Sequence, residues 1–133
     1  HNRLIREDFG LDGENFIPLK PAGVAGSLAH QKEMSEDFGS LISQIKMFLK
    51  HCPSIKHIII ISHQDCKRYD EMLDRSKLGP DPEKQDLYPA MDFLAKEFPQ
   101  LEIGAYYGRF SNEERTQIVF DVIKRSPLQM GEI

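Results

Sequence analysis

Four consecutive isoleucines, Ile58–Ile61, stand out from a chain in which apolar and polar positions otherwise alternate or recur at helical spacing. β-Branched residues on successive positions face both sides of a strand. Such a strand is buried on both faces, the usual condition of a parallel sheet covered by helices. Ahead of it, Phe38, Leu41, Ile42, Ile45, Phe48, Leu49 and Cys52 recur at three- and four-residue steps and predict a helix over Ser35–Cys52. Ser35 is the expected N-cap, Glu36 and Asp37 suit the first turn, and Pro53 closes the segment. Upstream, Asn15–Lys20 reads as a short strand, placed at an edge or bulge by Pro18, and Pro21–Gly26 as a small-residue loop. Downstream, the pattern predicts a helix over Cys66–Arg75, a loop over 76–83 and a helix over Gln85–Phe98. A strand over Leu101–Tyr107, a polar turn over Arg109–Arg115 and a strand over Thr116–Ile123 complete it. The short turn makes the last two strands antiparallel neighbours.

Together these elements predict one α/β domain across residues 1–133, with a mostly parallel sheet flanked by helices and an antiparallel last strand. The 40% apolar and 29% charged fractions are those of a globular chain. A net charge of −4 argues against nucleic acid as the main partner, because phosphate binding needs clustered Lys and Arg. No apolar run is long enough to span a membrane, and no leader is evident. The two cysteines do not form a disulfide framework, so a reducing, cytoplasmic setting is expected. The phosphate-binding and serine-nucleophile signatures GxxxxGK[ST], GxGxxG and GxSxG are absent.

The candidate chemistry lies just past the strand. ISHQDC places His63 and Cys66 outside its carboxyl end, where open parallel sheets bind ligands. Imidazole nitrogen and thiolate sulfur are two ligand types that zinc favours, and the spacing allows both to reach one ion. A catalytic zinc needs three protein ligands and an open position for water. The bland alternative is that His63 bonds only to its own loop. Asp65 reads either as a support for ligand orientation or as a solvated helix cap. Cys52, at the other end of the strand, reads as a small core residue. His51 and His57 read as boundary residues and His30 as a solvated one. Tyr106 and Tyr107 are expected to pack on alternate faces, and Arg109 to sit in an exposed turn.

IIIISHQDC resembles the second zinc motif of the β-class carbonic anhydrases, a hydrophobic strand followed by G-H-[ST]-x-C-G. The likeness extends to Phe9–Gly23, which is similar to the family's strand leading into a small-residue loop. It extends also to the helix Ser35–Cys52 and to Ile103–Phe120, similar to the late strand, turn and final strand. The resemblance implies the family's fold, a zinc cofactor held by His63, Cys66 and a second Cys, and a homodimer or higher homo-oligomer. It implies reversible hydration of carbon dioxide to bicarbonate. The second Cys belongs to a C-x-D-x-R motif. Counting back from Ala22–Gly23 puts Arg3 near the Arg of that motif, in its catalytic role, and His1 at the Asp position. The Cys and the family's first strand would then lie upstream of His1. Lys67 replaces a usual Gly and sets a long cation beside the site.

Three readings follow. The first is a zinc carbonic anhydrase. The second is a non-catalytic relative with an incomplete zinc site. The third is a cysteine-dependent enzyme, with Cys66 as nucleophile and His63 as its base.

Overall fold

The isoleucine run forms β1, His57–His63, in a computed structural model that describes residues 23–123. Its parallel neighbour is β2, Glu102–Phe110, in the register His57 opposite Glu102 through His63 opposite Gly108. β2 pairs antiparallel with β3, Ile118–Ile123, so the order is β1–β2–β3. Among the described residues the sheet is therefore small and mixed, with one parallel and one antiparallel pair. The predicted strand over Asn15–Lys20 and Arg3 lie outside the described residues.

Helices α1, Val24–Ala29, and α2, Ser35–His51, precede the sheet. The crossover from β1 to β2 carries α3, Lys67–Met72, a 3-10 turn at Arg75–Lys77, α4, Pro82–Gln85, and α5, Leu87–Glu97. The main core lies between helices and sheet. Ile58 and Ile60 of β1 and Ala105 and Tyr107 of β2 meet Leu41 and Ile45 of α2 and Leu87, Met91 and Leu94 of α5. Each fully buried Leu or Ile here contributes about 1.5–3 kcal/mol of transfer free energy. On the other face Ile59 and Tyr106 are buried among Ile61, Phe120 and Val122. The alternation of Tyr106 and Tyr107 across β2 is thus as the period of two requires.

Several boundaries differ from the sequence reading. The sequence of Pro21–Gly26 reads as a loop, yet Val24–Gly26 begins α1, whose Val24, Ala25, Gly26, Ser27 and Leu28 are all buried. Small side chains serve close packing there, but of a helix. Met34, not Ser35, is the N-cap of α2, and no side chain caps it. The helix after the site ends at Met72 rather than Arg75. Asp74 accepts from the Ser76 N–H and starts a separate turn, a local bond that competes with the helix. Part of the expected 76–83 loop is α4. Strand β2 runs on to Phe110, which takes Arg109 out of the turn and pairs it with Asp121 at 2.7 Å. Cys52 is half-buried at the end of α2, a boundary rather than a core position. His30 is only a quarter exposed and bonds Asp86. No helix of the described residues is long and apolar enough to cross a membrane.

Candidate functional site

The ladder between β1 and β2 runs one bond past the strand, with the Gln64 N–H donating to the Gly108 carbonyl at 2.8 Å. The Gln64 side chain then accepts the Phe110 N–H at 3.0 Å. Asp65 turns the chain with a left-handed φ of 56°, and Cys66 caps α3 in an extended conformation. A strand, one left-handed residue and a helix thus set His63 and Cys66 on either side of a sharp turn.

His63 is exposed, and its Nδ1 lies 3.0 Å from the Gln64 carbonyl oxygen. A carbonyl only accepts, so this bond places the proton on Nδ1 and leaves the Nε2 lone pair open to a metal or a proton. His63 also lines an apolar hollow of about 260 Å³ with Ile61, Gly108, Phe110, Ile118 and Phe120. A side chain at Gly108 would be tight there, because a Cβ would stand 3.0 Å from the Phe120 ring, although at 3.5 Å it would only touch the His63 Cβ.

Cys66 is buried, at 3% exposure, and does not line that hollow. Its backbone is gripped at both polar ends. The Cys66 N–H donates to Glu83 Oε2 at 2.8 Å, and its carbonyl accepts from Arg75 Nη2 at 3.0 Å. Arg75 and Glu83 are themselves paired at 2.6 Å, and Arg75 also bonds Asp70. Glu83, at 2% exposure, is a buried carboxylate whose charge is compensated by that guanidinium. The carboxylates hold the Arg75 guanidinium firmly protonated.

Asp65 is exposed and pairs with Arg115 of the β2–β3 turn at 2.6 Å. Arg115 also has a left-handed φ, of 59°, and stacks over the Phe110 ring with its guanidinium carbon 5.0 Å from the ring centre. Lys67 is exposed at the start of α3. Behind Cys66, Tyr69 is fully buried and donates to Asp86 at 2.7 Å, and Asp86 also meets His30 at 2.9 Å. Burial, then the bonded Asp86 carboxylate, pushes the Tyr69 phenol far above its ordinary value. On the outer side of α3, Arg68 holds Asp37 in a two-pronged pair at 2.7 and 2.8 Å, beside a polar hollow lined by Ser27, Ser40 and Gln44. The Arg68 bond keeps the Asp37 carboxyl below the usual carboxylate range.

Donor chemistry at the turn fits a soft divalent metal: an open imidazole nitrogen and a thiol three residues apart. Among the described residues no group of three or more His, Cys, Asp or Glu gathers as a ligand set. Glu83 and Arg75 were not singled out from the sequence. Glu83 stands in the polar run DPEKQ, and nothing in its neighbours marks a buried carboxylate. Compared with protein-family models, with curated proteins and with solved structures, the chain matches none.

Proposed function

We propose that the chain is a zinc protein of the β-carbonic anhydrase type that hydrates carbon dioxide reversibly to bicarbonate. The observation that carries the reading is the Nδ1–H bond of His63 to the Gln64 carbonyl at the end of β1, three residues before the buried Cys66. That bond is the usual device by which a ligating imidazole is held with its other nitrogen toward the metal. His63 and Cys66 would hold the ion, with a third donor from outside residues 23–123 and Arg3 acting on the water position. Zinc, when bound, would lower the pKa of its water to about 7 and so supply hydroxide near neutral pH. The hollow beside His63 is mostly apolar, with Gln64 and Arg109 also on its lining, and offers an uncharged substrate a surface of few polar groups. Asp65 pairs with Arg115 across the turn and would support the ligands from behind them. The β-carbonic anhydrase topology, the dimer and a cytoplasmic location belong to this same reading.

Metal analysis of protein purified without chelators tests it. About one zinc per chain is expected, lost in Cys66→Ser and in His63→Ala, with carbon dioxide hydration followed by a pH indicator. Protein that contains no zinc, and takes up none, overturns the proposal. A second reading, a non-catalytic relative with an incomplete site, is favoured by the lack of a third donor among the described residues and by exposed Lys67 beside the turn. It predicts zinc retained, or none, with no hydration.

A further inference from the structure

We infer that Glu83 and Arg75 are positioning residues for Cys66, an inference that rests on the metal-site reading above. The two side chains and the Cys66 peptide groups form a closed ring. The Cys66 N–H bonds Glu83 at 2.8 Å, Glu83 bonds Arg75 at 2.6 Å, and Arg75 returns to the Cys66 carbonyl at 3.0 Å. A second prong, Arg75 Nη1 to Glu83 Oε1 at 3.2 Å, keeps the two planes aligned. With both polar ends of one residue tied, its φ of −65° and ψ of 121° are held, and so is the direction in which Cβ leaves the backbone, which leaves the sulfur only the choice of χ1 rotamer.

Stability alone is a poor reason for this arrangement. A buried ion pair repays its desolvation cost only partly, and apolar residues of like volume often hold a fold as well. The ring also serves the local helix, because Cys66 is the N-cap of α3 and Glu83 accepts its N–H, one of the orphan donors of that helix end. What it controls beyond that is one residue, the one whose sulfur the zinc reading requires. Zinc–sulfur bonds form near 2.3 Å in a narrow range of directions, and outer residues that aim a ligand commonly govern about 10–100-fold in affinity.

The experiment is a cobalt(II) titration of the intact chain, read by the thiolate-to-cobalt charge-transfer absorption, with thermal melting recorded in parallel. The wild type is expected to show the band and Cys66→Ser to lack it. Glu83→Gln keeps the shape and an acceptor oxygen but breaks the charged ring. It is expected to weaken cobalt binding about 10–100-fold and to alter the band. Arg75→Lys keeps the charge yet loses the fork that reaches both Glu83 and the Cys66 carbonyl, and is expected to act in the same direction. Should Glu83→Gln fail to fold, Arg75→Lys decides. Folded variants that bind cobalt with wild-type affinity and an unchanged band overturn the inference and leave the ring a loop anchor. A wild type with no band that depends on Cys66 overturns the metal-site reading beneath it.

Discussion

The Tyr69 ring lies so close to Gly26 that a Cβ on that glycine would stand 2.7 Å from Tyr69 Cε1 and 2.9 Å from Cζ. Tyr69 is fully buried and cannot swing away, so α3 and α1 are in contact through a backbone that tolerates no side chain. Gly26→Ala is therefore expected to cost about 1–3 kcal/mol by overpacking. Gly39 is the control. It lies on the exposed side of α2 with nothing within 4 Å of its Cβ position. Gly39→Ala is expected to add about 0.5–1 kcal/mol, because Ala loses less freedom in a helix. Urea unfolding of the two variants gives opposite signs.

Removing only the hydroxyl of Tyr69 separates packing from bonding. Tyr69→Phe deletes the 2.7 Å bond to Asp86 and leaves that carboxylate with His30. A loss of about 1–2 kcal/mol is expected at neutral pH. The phenol's pKa is raised above its ordinary 10.0 in the folded chain. Its contribution is thus fully present below pH 10 and declines as pH rises beyond it, where the unfolded chain ionises and the folded one does not. Wild-type stability measured from pH 9 to 11 should carry this fall, and Tyr69→Phe should lack that component.

The pair between Asp37 and Arg68 sets an acid-side dependence. Asp37 is held below its ordinary 3.8 chiefly by the Arg68 hydrogen bond. A carboxyl depressed in the folded state adds stability above its unfolded pKa and loses it as pH falls through the folded one. Asp37→Asn is expected to be less stable than the wild type at pH 7, with the gap closing below about pH 4. A gap that persists unchanged at pH 2 would show that the pair is not its source.

At Asp65 the backbone and the charge can be told apart. Its φ of 56° is costly for an ordinary side chain, and Asp tolerates it better than most. Asp65→Gly and Asp65→Ala both delete the ion pair with Arg115, so they differ in the strain of the turn, offset in part by the greater freedom of Gly in the unfolded chain. Asp65→Ala is expected to be about 1–2 kcal/mol less stable than Asp65→Gly. Equal melting temperatures would mean that the turn does not hold this conformation in solution.

What was legible in the sequence was what repeats. Ile58–Ile61, the three- and four-residue steps of α2, and two strands around a short polar turn each carry a period, and β1, α2 and the β2–β3 pair lie where those periods put them. The end of β1 was legible by position, which is how His63 and Cys66 came to be named. Glu83 and Arg75 were not, because a buried ion pair follows no spacing and is selected by what faces it in space. α1 was missed since VAGSLA has too few large side chains to show a face, its burial being complete on nearly every position. The bonds of Ser76 to Asp74, which end one helix and open another turn, involve residues whose preference for local bonding is general but whose choice of partner is not.

Isoleucine on both sides of β1 has one further consequence. Greasiness hardly distinguishes the observed alignment with β2 from a slip of one residue, which elsewhere would turn an oily face to water. The alignment is keyed instead at the two tips. His57 reaches Glu102 at 2.8 Å at one of them. At the other, Gln64 clasps the Phe110 amide and Gly108 leaves space beside His63. The middle of the strand supplies adhesion and the tips supply the address.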